Sequence, residues 1–287
     1  MLERRGLPRT EARTLPWDQF GVQMEVVNRL SRNLYFVDES GQFFPRQGEL
    51  GTAAILLVPD EPAEVALVHE LAGEWRKNFT RDGKIKSAFI PDDEKIRFAH
   101  LVVSRQWWVG IEPAQMGEEL DRDVKTALLD TIRTTRTALP FAQRSDVTID
   151  FLMHQVESLS RDKLCWYMVQ NTLLGKLCEI GRIEGHCPVG EFVLDNKLPL
   201  SAVELAAFMV RVRIAVEFPE VFREHIATVL GVSDRRPLIE VRISTEQRDD
   251  GLVLADVCAA ELGRVVREGE AAPNSAKRFR DVLAGRK

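Results

Sequence analysis

The sequence predicts an α/β fold, a mixed central sheet covered by helices, and three observations point there. Short apolar strands alternate with helically spaced segments over the first 111 residues, further strands return much later, and two amphipathic helices close the chain. Strands that come first, with helices interleaved later, imply a mixed sheet under a helical layer.

The elements follow in chain order. After an amphipathic segment over about 17 to 32, Asn33 to Asp38 reads as a strand that ends at the turn-forming residues Glu39, Ser40 and Gly41. Thr52 to Val58 is a second strand. From about 60 to 78, Val65, Val68, Leu71, Ala72 and Trp75 recur at helical spacing behind the acidic start Asp60-Glu61, which suits a helix dipole. An extended piece, Ile85 to Ile90, leads to a helix from Pro91 to about Ser104, and Trp107 to Ile111 is the next strand. Residues from about 116 to 180 read as mostly helical, with Leu164, Trp166, Met168, Val169, Leu173, Leu174 and Leu177 covering nearly the whole surface of a buried helix. Gly190 to Asp195 and Leu238 to Ile243 are strands, separated by helices over about 201–218 and 219–230. Helices over about 251–268 and 274–284 finish the chain.

At 287 residues, 45% of them hydrophobic and 29% charged, the chain has a globular balance and is long enough to bury a sizeable core. No Pro/Gly/Ser-rich linker marks a boundary, so a single domain over 1–287 is expected, with a helical insertion over about 112–187. The N-terminal stretch lacks the apolar run of a signal peptide, and no stretch approaches the roughly 20 apolar residues of a membrane span, so the expected location is the cytoplasm. Cys165, Cys178, Cys187 and Cys258 are too few and too irregular for a disulfide framework. A formal charge of −5 argues against non-specific coating of nucleic acid, which draws its energy from neutralising phosphates, but leaves a local site open. The arginines and lysines at the two ends read as solvated termini.

Three acids stand out. Asp38 ends the apolar run Asn-Leu-Tyr-Phe-Val, where a carboxylate is costly to bury without a partner or a metal. Asp195 repeats the arrangement after Glu-Phe-Val-Leu, and its structural alternative is capping of the helix that starts near Ser201. Asp256 shares a helical stripe with Leu252, Ala259, Ala260 and Gly263, of which the last three are small and let a helix approach a sheet, while Leu254, Val257, Cys258, Leu262 and Val265 lie largely opposite, so the helix is expected to have two covered faces. The structural alternative for Asp256 is a buried carboxylate bonded to an arginine or a backbone amide.

YFVDESG at 35–41, VLD at 193–195 and GLVLADVCA at 251–259 resemble a large bacterial and phage family of unknown function, number thirty-eight hundred in the domains-of-unknown-function series, classed with the ribonuclease H-like superfamily. The resemblance spans about 33 to 265, and GKIKSAF is similar to that family's lysine segment, which makes Lys86 the matching lysine. The sequence departs from the family pattern at Gln42, where an acid is frequent, and at Val253, where Gln is. The resemblance implies a ribonuclease H-like fold with terminal helical segments at 1–32 and 268–287 outside the core. It also implies a metal-dependent nuclease of a mobile element or antiphage system, in which Asp38, Asp195 and Asp256 hold Mg²⁺ or Mn²⁺. Hard cations prefer carboxylate oxygens, and a metal pair can activate water and stabilise a leaving oxygen in phosphodiester hydrolysis. Glu39 belongs to the first motif as well, but as a strand neighbour of Asp38 it joins that acid only if the strand has already turned. Lys86 either contacts a phosphate or pairs with an acid.

Other signals have plainer explanations. Cys178, His186 and Cys187 are not two well-spaced zinc-ligand pairs. Pro91-Asp92-Asp93-Glu94-Lys95 has the letters of a restriction-nuclease motif but the contiguity of a helix start, and Trp107-Trp108 reads as packed strand. His69, His100, His154 and His225 show no hydrolase triad. The rival to the nuclease is a non-catalytic module of the same fold that binds a protein or nucleic-acid partner, its acids being structural pairs or remnants.

Overall fold

The computed structural model describes residues 32–41, 51–114, 125–126, 129–130, 132–133, 150, 153–154, 156–158, 160, 190–195 and 239–285. Five strands form one sheet: β1 (Asn33–Ser40), β2 (Gly51–Pro59), β3 (Trp108–Ala114), β4 (Gly190–Asp195) and β5 (Ile239–Ser244), in the order β3-β2-β1-β4-β5. β2 runs antiparallel to both β1 and β3, whereas β1, β4 and β5 are parallel. Around the sheet lie α1 (Pro62–Phe79), α2 (Asp92–Ser104), α3 (Asp250–Glu268) and α4 (Asn274–Leu283). Of the expected class, the α/β arrangement of a mixed central sheet flanked by helices is the architecture found.

Strand chemistry follows position. β2 is the unbroken apolar run Gly-Thr-Ala-Ala-Ile-Leu-Leu-Val-Pro because both of its faces are buried between neighbours. β5, at the sheet edge, alternates Ile, Glu, Val, Arg, Ile, Ser and is only half buried, and the other edge strand, β3, tolerates Pro113.

α3 organises one face of the sheet. Asp249 caps it, its carboxylate accepting from the Gly251 amide at 3.1 Å, and the helix then lies across β1 and β2 with α1 and α4 behind it. Its small residues set how close it comes. A Cβ at Gly251 would lie 2.2 Å from the Phe36 ring, and one at Gly263 would lie 2.4 Å from Thr52 Oγ1. The sheet side of the core collects Phe36, Ala54, Leu56, Val58 and Val193 against Leu252, Ala255 and Ala259, and Trp75, Phe98 and Phe279 fill the space between the helices. The two covered faces expected of this helix are both present.

Several boundaries differ from expectation. β1 continues through Glu39 and Ser40, because Ser40 pairs with Thr52, whose hydroxyl donates to the Ser40 carbonyl at 3.2 Å. Only at Gly41, with φ at 86°, does the chain leave the sheet. β3 runs to Ala114, so residues 112–114 belong to the sheet instead of the expected insertion. Described residues between 125 and 158 are helical, with Ile132 and Val156 buried. The rest of that insertion, the segments at 17–31, 201–218 and 219–230, and Cys165, Cys178, His186, Cys187 and His225 lie outside the described residues. Pro91 stands just before α2, whose first turn holds Asp92, Asp93 and Glu94, so those acids serve helix initiation as expected. Trp107 and Trp108 are both buried in the core as expected, but β3 starts at Trp108, so Trp107 lies one residue before the strand.

Candidate metal centre

The parallel strands deliver their acids to one end of the sheet. Val37 pairs with Leu194, so the next step along each strand sets Asp38 beside Asp195, and Asp195 in turn pairs with Ser244 of β5. Side chains alternate along a strand, so Asp38 shares a face with Phe36, and Asp195 shares one with Val193. Phe36 and Val193 both belong to the core under α3. Both carboxylates therefore point to the side where α3 brings Asp256.

Asp38, Asp256 and Glu246 converge, each offering a carboxylate oxygen within 4.8 Å of the others. Asp38 is 1% exposed, and its Oδ1 accepts the Glu39 amide at 2.7 Å. Its Oδ2 is buried without a hydrogen-bond partner. Burial pushes the Asp38 carboxyl well above the ordinary aspartate range, and the charges of Asp256, Asp195 and, less strongly, Glu246 add to this against the pull of the Glu39 amide. Asp195 is thus felt at Asp38 but is not one of the three converging acids.

Asp256 Oδ2 accepts the Ser87 amide at 2.8 Å, which is the backbone bond that the structural alternative called for. Lys86 donates its Nζ to Glu246 Oε1, so of its two expected roles the structure shows the pairing with an acid. Burial works against the Lys86 ammonium, but the Glu246 hydrogen bond and the charges of Asp256, Glu246 and Asp38 outweigh it and raise its pKa. Glu39 is not brought in. With β1 extended through Ser40, alternation turns its side chain to the face opposite Asp38.

Glu246 escaped the sequence reading. It sits two residues beyond β5 in the polar stretch Thr-Glu-Gln-Arg-Asp-Asp, and it is 5% exposed. The loop is clasped at several points. Arg76 of α1 donates to the Glu246 carbonyl at 2.6 Å and pairs with Asp250, while Arg242 pairs with Asp249. The available signal was an acid just past a strand end, the same signal that singled out Asp195.

No family model and no curated protein matches the chain. Among solved structures it is similar to Bst-RNase HIII in complex with Mn²⁺, at 14% identity and a TM-score of 0.34, over 90% of this chain and 66% of that one, just under two thirds of its length. The bacterial and phage family stays a resemblance carried by the motifs.

The residues themselves meet the requirements of a hard divalent cation. Such an ion takes carboxylate oxygens, and here three carboxylates crowd together, one with a buried oxygen that no protein donor satisfies. Cys258, the neighbouring soft donor, is a buried thiol whose pKa burial, helped by Asp256, drives far up, which keeps it protonated and outside such chemistry. Among the described residues no helix is long and apolar enough to cross a membrane.

Proposed function

We propose that this chain is a metal-dependent nuclease that hydrolyses phosphodiester bonds in nucleic acid, with Asp38, Glu246 and Asp256 holding Mg²⁺ or Mn²⁺. The observation that carries the reading is the buried, partnerless Asp38 Oδ2 within a group of converging carboxylates. An uncompensated carboxylate there is expensive unless a counter-charge relieves it. Asp195, beside Asp38 in register and on the same face, serves as a further carboxylate toward the same cation, as the sequence motifs imply.

Held by these acids, a divalent cation would supply Lewis-acid polarisation of a phosphoryl oxygen and a lowered pKa for bound water. The chain's own residues supply the setting. Asp38 and Asp256 come from a strand and a helix packed against each other, so the geometry is held by rigid elements. Lys86 balances the charge of Glu246 and stands 43% exposed at its side chain, close enough to the acids to meet a substrate phosphate. Glu39 contributes its backbone amide to Asp38.

The test is cleavage of single-stranded, duplex and hybrid oligonucleotides with Mg²⁺ or Mn²⁺ by wild type, Asp38→Asn and Asp256→Asn. Cleavage that EDTA abolishes and both folded variants lack is the expected result; no cleavage of any substrate by wild type would contradict it. A second reading, the non-catalytic binding module, is favoured by the internal partners that Lys86 and Ser87 give to Glu246 and Asp256. It predicts that metal neither binds nor stabilises the protein.

A further inference from the structure

Lys86 and Ser87 are consecutive, and each gives a donor to a different acid of the group: the Lys86 ammonium to Glu246 and the Ser87 amide to Asp256. Ser87 opens a single 3₁₀ turn, Ser87–Phe89, whose own bonds run from Phe89 to the Lys86 carbonyl and from Ile90 to the Ser87 carbonyl. The turn therefore leaves the Ser87 N–H for Asp256. Behind the turn is a buried ion pair: Lys95 Nζ of α2 lies 2.8 Å from Glu261 Oε1 of α3, with Lys95 3% and Glu261 0% exposed. The Ser87 hydroxyl reaches the same Glu261 oxygen at 3.5 Å, a long contact, and Arg264 reaches it at 3.2 Å.

A buried ion pair is a poor source of net stability, since an apolar pair of similar volume often does as well or better. What this one does in the structure is fix a polar point between α2 and α3, against which a buried serine is set. We infer that Ser87 is the positioning residue for Asp256: its amide fixes the carboxylate, and its hydroxyl seats the turn on the Lys95–Glu261 pair. The inference rests on the cation reading of the acid group. In this role Ser87 acts through Asp256 and is not one of the converging ligands. Fixing one carboxylate in this way is the outer-shell support that ligating carboxylates commonly receive, and its loss costs 10–100-fold in metal affinity as an order of magnitude.

Proline suits the test. The backbone of Lys86, at φ −143° and ψ 147°, is already in the conformation a residue before proline adopts, and a proline at the first position of the turn removes an N–H that the turn does not use together with the hydroxyl, whose loss alone Ser87→Ala reports. Mn²⁺ is titrated calorimetrically into metal-free wild type, Ser87→Pro, Ser87→Ala and Ser87→Thr. The bound Mn²⁺ electron spin resonance spectrum and the metal-free melting temperature are recorded on the same samples. The expected result is an affinity loss of about 10–100-fold for Ser87→Pro with an altered spectrum, a smaller loss for Ser87→Ala, and near wild-type binding for Ser87→Thr, which keeps both donors. Wild-type affinity in Ser87→Pro overturns the inference. So does an equal loss in Ser87→Ala, because the hydroxyl and not the amide would then be decisive. If Ser87→Pro does not fold, the Lys95→Met/Glu261→Met double variant takes its place: a loss like that of Ser87→Ala supports the seat, and unchanged affinity overturns it. Absence of Mn²⁺ binding by wild type fells the cation reading and this inference together, and is distinguishable because it appears before any variant is made.

Discussion

Two buried carboxylates in this protein are treated in opposite ways. Glu64 of α1 meets the Arg105 guanidinium through both oxygens, and its Oε2 also accepts the Trp107 indole N–H at 2.8 Å. Burial disfavours its charge, but the bonds from Arg105 and Trp107 win and hold the carboxyl below its ordinary value of 4.5. Asp38 is buried more deeply, accepts one backbone amide, faces other acids and is pushed well above its ordinary value of 3.8, first by burial and then by Asp256 and Asp195. Two carboxylates largely withdrawn from solvent are thus treated differently: one is met by side-chain donors on both oxygens, and the other, more deeply buried, keeps an oxygen with no hydrogen-bond partner. Glu64 is given side-chain donors on both oxygens, whereas Asp38 is given one backbone amide and faces other acids, the kind of perturbed environment that marks a candidate functional site.

Several changes break or sharpen that contrast. The largest effect on stability is expected from Glu64→Ala, which strips the fully buried Trp107 indole of its acceptor: about 1–3 kcal/mol of unfolding free energy by denaturant titration, with Mn²⁺ affinity unchanged. Arg76→Gln loosens the clasp on the Glu246 carbonyl and on Asp250, and should lower Mn²⁺ affinity about tenfold in calorimetry while leaving the Glu64 region alone. The smallest change is a gain. Asp38→Asn removes an uncompensated buried charge and should stabilise the metal-free protein by about 1 kcal/mol at pH 7–8.

The pH dependence of the two acids has opposite sign. Native Asp38 holds its proton more tightly than the unfolded chain does, so its destabilising effect is absent below the ordinary value of 3.8 and grows as pH rises through the raised native value. The gain from Asp38→Asn should therefore vanish near pH 4. Glu64 contributes stability above 4.5 that is lost as pH falls through its lowered native value. Melting temperatures of metal-free wild type, Asp38→Asn and Glu64→Gln between pH 3 and 8 separate the two.

The sheet was legible because its strands are local patterns: an unbroken apolar run for β2 and short apolar runs ending in an acid for β1 and β4. Asp256 was legible too, since small residues around an acid on a helix imply close approach, and Gly263 does sit against Thr52 and Ser40. What was hidden depends on contacts distant in sequence. The turn letters Glu39-Ser40 were overridden by pairing with β2 and by Arg267, which donates to the Ser40 carbonyl, and that extension is what turned Glu39 away. Glu246 lies in a run of polar letters typical of a loop, and only the register of β5 beside β4, with Arg76 reaching across from α1, brings it to Asp38. Neither distance nor clasp is written in any window of the sequence.

In the proposed divalent-cation site of Asp38, Glu246 and Asp256, Glu246 is the member that only the structure supplies. The most direct measurement is a calorimetric titration of Mn²⁺ into metal-free wild type and Glu246→Gln at pH 7.5, with folding of both verified by circular dichroism. The account predicts saturable binding by wild type and an affinity more than about 100-fold weaker in Glu246→Gln, beyond the loss typical of an outer-shell residue. Binding of equal strength in the two proteins, or none in wild type, would contradict it.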